Sequence, residues 1–235
     1  ADIKSVGIVA DDYVGMRPTM LVAVGDRVKL GQPVFADKKT PGVMFTSPGC
    51  GTVKAINRGA KRKFESIEID LDGDDQEIFE SFQDLQSIPK EAIEKQLVDS
   101  GMWQSFRTRP FSRTPALGSE AHSIFVTATD TNPLSAEPEL VISENAELFV
   151  SGLTVINQLT LGKPYVCTRD DSRVPGSDIP DVEFKQFNGP HPAGLAGTHI
   201  HLVDPVNENK TVWQIGYQDV IAIGHLFTTG QLMTE

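Results

Sequence analysis

Hydrophobic and polar positions change their spacing along this chain, and the changes divide it. Residues 3–10, "IKSVGIVA", read as a strand. From Val24 to Gly73 short apolar–polar alternations are broken by turn signals at Gly25-Asp26, Gly31-Gln32, Pro41-Gly42 and Pro48-Gly49. That spacing predicts a small β-sandwich or barrel. Residues 74–87 are acidic and polar, a connector with one strand or a short helical turn. The pattern then takes a helical period. "SIPKEAIEKQLVDSGMW" predicts a helix capped by Ser87 and ended by Gly101, with Ile93, Leu97 and Val98 as its apolar stripe. "HSIFVTATDTNP" opens as an apolar strand. "SENAELFVSGLTVINQLTLG" predicts one long helix, with Phe149, Leu153 and Ile156 on its buried face and Gly162 at its end. "KPYVCTRD", "VEFKQF" and "HIHLVDPV" read as strands, and "TVWQIGYQDVIAIGHLFTTG" as a strand turning into a helix.

This order predicts two units: a small all-β domain over 1–75, and a Rossmann-like α/β domain with a mostly parallel sheet over 80–235. The opening at Ala1 without Met, and the end at "HLFTTGQLMTE", are expected of a fragment of a longer protein. No apolar run approaches the roughly 18–20 residues of a membrane span, and no secretory signal opens the chain. A reducing cytoplasm is the expected compartment. Cys50 and Cys167 stand far apart and form no CxxC, which argues against a disulfide framework and against a thiolate metal or iron–sulfur site. A net charge of −11 disfavours nucleic acid and anionic membranes as general partners. The local exception is "RGAKRK", Arg58 to Lys63, a hairpin tip or a contact for an acidic partner or lipid headgroups.

Candidate chemistry gathers in "GPHPAGLAGTHIH", Gly189 to His201. As a metal site it offers His191, His199 and His201, without a carboxylate to complete a known pattern. As a phosphate loop it should open a helix, whereas a strand is expected to follow. A structural turn, with Gly194 and Gly197 at positive φ, is the plain alternative. The remaining one is a wall for a ligand or a subunit contact, since an imidazole can hydrogen-bond a carbonyl oxygen. In "FRTRPF", Arg107 and Arg109 are either solvated residues at a strand entry or partners for acidic groups and ligand carbonyls. "DYVGMRP" is a link or a docking loop presenting Tyr13 and Arg17.

Two resemblances add to this. "VGDRVKLGQPVF" with "SPGCGTVKAINRG" resembles biotinyl and lipoyl carrier domains, the barrel-sandwich hybrid, but the comparable hairpin tip is Pro41-Gly42 rather than a modifiable lysine. "DYVGMRPTM", "ADKKTPGV", "NRGAKR", "QLVDSGMW", "RTRPFS", "TDTNPL" and "GPHPAGLAGTHIH" together resemble the A-subunit family of sodium-translocating NADH:quinone reductases, over nearly the whole chain. That family is similar to the Rnf complex C subunit and the flavin-bearing NADH subunit of complex I. In the flavin-bearing relatives a glycine-rich loop follows the first helix. Here Trp103, Gln104, Phe106, Arg107 and Arg109 stand in its place, and of the relatives' acidic stretch only Asp130 remains. The resemblance implies a flavin fold with its pocket overwritten, and no catalytic residue, metal or cofactor held by this chain. It further implies a peripheral subunit on the cytoplasmic face of the bacterial inner membrane, partnered by the other subunits of a sodium-pumping complex. NADH, flavins and an iron–sulfur centre would belong to those subunits. Ubiquinone would be met through Arg107, Arg109, His191, His199 and His201, which could equally be subunit contacts.

Overall fold

The computed structural model describes residues 3–233; the outermost positions of the two expected spans, 1–2 and 234–235, lie outside the described residues. Seven strands come first: β1 (Ser5–Val9), β2 (Pro18–Met20), β3 (Arg27–Val28), β4 (Pro33–Asp37), β5 (Met44–Thr46), β6 (Gly51–Arg58) and β7 (Phe64–Leu71). They form two antiparallel sheets, ordered β1-β7-β6-β3 and β2-β4-β5. Alternation along β7 turns Ile67 and Ile69 inward and leaves Asp70 in solvent. Phe35 fills the centre, stacked on Phe45 at 4.6 Å and edge-on to Phe64 at 5.3 Å. The predicted turn at Gly42 joins β4 to β5 with φ +93°, a conformation that a side chain would strain. "RGAKRK" is the β6–β7 hairpin tip, as expected.

The connector ties the two parts together. The Phe79 and Phe82 amides donate to Gly230 O and Phe227 O at 2.8 and 2.9 Å. Its helical turn is a 3-10 turn at Leu85–Ser87. Here the expected Ser87 cap fails. Ser87 Oγ donates upstream to Asp84, so the hydroxyl is already engaged, and α1 (Lys90–Asp99) starts after Pro89. Gly101, at φ +82°, ends α1 as predicted.

The second part holds β8 (Arg107–Arg109), β9 (Ile124–Thr127), α2 (Pro138–Glu144), α3 (Ala146–Asn157), β10 (Pro164–Arg169), β11 (Glu183–Phe187), α4 (Ala196–Val203), β12 (Val212–Gly216) and α5 (Tyr217–Thr229). The sheet order is β11-β10-β9-β12-β8, parallel except for β8 at the edge. Ile124, Val126, Val166 and Ile215 face α3 and α5; Phe125, Cys167 and Val212 face α4. α3 and α5 touch backbone to backbone, since a Cβ on Gly152 would collide with Val220 O and one on Gly224 with Leu148 O.

Two element expectations are corrected. The long helix is two. Asn145, at φ −123° and ψ 32°, breaks it, and its side-chain amide donates to Val141 O at 3.0 Å. The apolar stripe survives the break, with Phe149, Leu153 and Ile156 all fully buried. "HIHLVDPV" is not a strand: its opening residues complete α4. A short apolar run does not distinguish strand from helix by spacing alone. The topology does, because β11 and β12 are parallel and lie on opposite sides of β9, and such a connection needs a crossover.

Candidate functional site

Strand order reverses between β9 and β12, and ligands of open α/β sheets bind where the C-terminal strand ends part in this way. Two loops close over that crevice. After β9, Asp130 Oδ1 accepts the Asn132 amide at 2.7 Å and fixes a tight turn. The loop before α4 packs on it. Gly194 donates its N–H to Thr131 Oγ1 at 3.0 Å, and His191 Nδ1 lies 3.2 Å from the same oxygen. A Cβ on Gly194 would stand 2.6 Å from Thr131 N, so this glycine serves close approach. Positive φ is found at Gly189 instead, which corrects the expectation for Gly194 and Gly197. In the loop between β9 and α2, Leu134 holds φ +62° and is fully exposed (105%), an apolar side chain presented outward on an unfavourable backbone.

The three histidines separate. On α4, His199 and His201 point to different sides, whereas a strand would have paired them. His199 is fully buried, with Nε2 2.8 Å from Ala193 O and its ring 4.2 Å from Phe187. Its Nδ1 has no partner among the described residues, and burial lowers its pKa, against the Ala193 hydrogen bond, which raises it. His201 is exposed. Among the described residues, no group of three or more His, Cys, Asp or Glu is placed to hold a metal ion. The stated ground against a phosphate loop also falls, since a helix does follow. What opposes that reading is the Gly194 N–H, which is already bound to Thr131.

A second recess lies where the N-terminal sheets meet the α/β part. It is about 460 Å³ and is lined by Tyr13, Gln104, Ser105, Arg107, Gln214 and Asp219. Asp219 sits in the first turn of α5, reaches back to the Gly216 amide, and accepts Ser105 Oγ–H at 2.8 Å. Burial raises its pKa; Ser105, Arg107 and the Gly216 amide oppose the rise. The Arg107 guanidinium lies 5.1 Å over the Tyr13 ring and donates to Gln104 O and to Phe106 O, the latter at 3.2 Å. Burial lowers the Arg107 pKa and raises that of Tyr13. Arg109 turns to Gln214 Oε1, with Nη2 at 2.9 Å.

Behind this recess the segment after α1 is core. Trp103 packs edge-on to Trp213 at 5.4 Å, and Phe106 lies 5.6 Å from Trp213. All three rings are at most 1% exposed, and Trp103 Nε1 donates to Pro115 O at 2.9 Å. Gln104 Nε2 donates to Met44 O on β5. Arg107 and Arg109 therefore fall at one junction, and the histidines elsewhere. Ser105, Gln214 and Asp219 were not singled out from the sequence. The only local sign was "GYQD", an acidic residue three positions into a helix that opens at a glycine.

A two-sheet β unit of hybrid type followed by a mostly parallel α/β unit defines the class. Family models match both parts. Residues 1–72 match the NqrA N-terminal barrel-sandwich hybrid domain, and residues 88–232 match the NqrA second alpha/beta domain. The chain is 56% identical over 235 residues to the Na(+)-translocating NADH-quinone reductase A subunit of Saccharophagus degradans, covering 99% of this chain and 53% of that protein. It is 53% identical over 237 residues to the corresponding protein of Rhodopirellula baltica, covering 99% and 52%. For Marinomonas sp. the identity is 52% over 237 residues, covering 100% and 53%. The chain belongs to the family of A subunits of Na+-translocating NADH-quinone reductases. It spans about half the length of the curated relatives it matches. Among the described residues no helix is long and apolar enough to cross a membrane.

Proposed function

We propose that this chain is part of the A subunit of a Na+-translocating NADH–quinone reductase, peripheral on the cytoplasmic face of the membrane. In this reading it helps seat ubiquinone and holds neighbouring subunits, and it carries no redox group itself. NADH oxidation and sodium export take place on other subunits, which hold the flavins and the iron–sulfur centre. The observation that supports the reading is the Trp103–Phe106–Trp213 cluster: the segment where the resemblance would put a glycine-rich flavin loop is packed as buried aromatic core. The residues present do not fit that cofactor.

For the quinone, the junction recess is the better support. Its volume suits a ring headgroup, and Arg107 and Tyr13 bring donors that can meet a carbonyl oxygen. Arg109 orients Gln214 on the recess wall. His199 is committed to Ala193 and Phe187, which leaves His191, beside Thr131, and the exposed His201 as further contacts. The division into units at 1–75 and 80–235 belongs to the same proposal, supported by the change from antiparallel sheets to α/β across the connector.

The test is photo-crosslinking of the intact complex with an azido-ubiquinone analogue. Label is expected on the peptides carrying Tyr13 or Arg107. Label confined to other subunits would remove the quinone role and leave docking. Docking alone is the second reading, favoured by the fully exposed Leu134 in the loop between β9 and α2. Leu134→Asp would then weaken retention of the subunit in the complex.

A further inference from the structure

A further recess is larger than the junction recess. It is a cleft of about 1000 Å³ on the N-terminal part, and its lining is basic although the chain is acidic. Eight of the 21 lysines and arginines line it, facing two acids, Asp11 and Asp37. Arg17 comes from the segment before β2, and Lys38 and Lys39 from the β4–β5 hairpin. Arg58, Lys61, Arg62 and Lys63 come from the β6–β7 tip, and Arg113 from beyond β8.

The two acids do little to neutralise them. Asp37 is buried, and its Oδ1 is taken by the backbone amides of Arg17 and Lys39, both at 2.9 Å. Asp11 pairs with Lys63 at 2.6 Å, and among the described residues the other seven cations have no ion-pair partner. Tertiary structure thus gathers positive charge from four separate segments of a chain whose net charge is −11. Two consecutive tip residues, Lys61 (φ 53°) and Arg62 (φ 60°), hold left-handed backbone that non-glycine residues disfavour. Strain of this kind concentrates where a loop is held for binding.

We infer that this cleft receives an acidic polypeptide segment of a partner subunit. The inference rests on the proposed place of the chain in the complex. Three features select the occupant. The cations are spread over separate loops along the cleft, which matches charges strung along an extended chain. All eight are exposed, with no converging buried donors of the kind that hold a single small phosphate. The cations rise from four separate segments around a recess, whereas a bilayer offers its headgroup charge as one plane. Attraction of this sort steers association and fades as salt screens it.

The experiment is zero-length carbodiimide coupling of the intact complex, read by mass spectrometry. Isopeptide links are expected from Lys38, Lys39 or Lys61 to an Asp/Glu-rich stretch of another subunit, and should be lost at about 0.5 M salt, where screening is short-ranged. The charge reversal Lys38→Glu/Lys39→Glu/Arg62→Glu should abolish the links and lower retention of the subunit by about 10-fold at low salt. Its neutral counterpart, with Gln at all three positions, should give a partial loss at unchanged Tm. If the subunit co-purifies but these lysines give no inter-subunit link, the inference fails and the proposed function stands. If the subunit does not co-purify with the reductase, the proposed function fails first. If the wild-type chain binds phosphatidylglycerol vesicles, the reversed chain does not, and no inter-subunit link forms, a lipid occupies the cleft and the inference is overturned.

Discussion

The junction recess and the basic cleft use charge in opposite ways. At the junction Arg107, Tyr13 and Asp219 are each drawn partly out of water, and burial moves each toward its neutral form. In the cleft eight cations stay in water on loops. A group withdrawn from water matters singly, because removing it leaves a partner unsatisfied. Exposed charges matter as a set, because each is screened and weakly held. The first arrangement suits a small ligand or a fixed geometry, and the second a partner found by long-range attraction.

Single substitutions put that contrast to the test. The largest effect is expected at the aromatic wall behind the junction. Trp103→Ala should cost about 3–5 kcal/mol in urea unfolding, because it empties core space next to Phe106 and Trp213. Next is Arg107→Met, which keeps much of the stem and removes the donors. In the intact complex the KM for ubiquinone should rise about 10-fold with retention of the subunit unchanged, the scale of a lost charged hydrogen bond. A change in retention with no change in KM would move Arg107 to the docking set.

Asp219→Asn tests the desolvated carboxyl through pH. Burial raises the folded-state pKa of Asp219, so the native chain keeps this proton to higher pH than the unfolded chain. Its stabilising contribution is then full below the ordinary carboxylate range and is lost as pH rises through the folded value. Thermal unfolding between about pH 3 and pH 6 should show wild type losing stability relative to the Asn variant. An unchanged difference would mean that water reaches this carboxyl freely. The smallest effect is expected in the cleft. Lys39→Gln alone should alter stability by less than about 0.5 kcal/mol.

Legibility in the sequence followed the range of the interactions. Turn glycines act locally, and Gly42 and Gly101 were placed correctly from their neighbours. The α1 and α3 stripes were also legible, because burial of Ile93, Leu97, Phe149 and Leu153 repeats at helical spacing. The failures were tertiary. α4 is a helix because the sheet order demands a crossover, which its own residues do not announce. Ser87 lost its expected role to a neighbour, Asp84, that competes for the hydroxyl. At the junction Arg107 and Arg109 stand out in the sequence, while Ser105 meets Asp219 across 114 positions. The bulky residues Trp103, Gln104 and Phe106 after α1 were plain in the sequence. That they form one buried cluster with Trp213 was not, because Trp213 arrives on β12.

The buried aromatic cluster after α1 is the feature on which the proposed role most depends. Titration of the purified chain with flavin mononucleotide, followed by flavin fluorescence, tests it directly. No saturable change is expected at micromolar concentrations. Saturable quenching by the wild-type chain would contradict it, since a ring would then find room beside the side chains that are taken to exclude it.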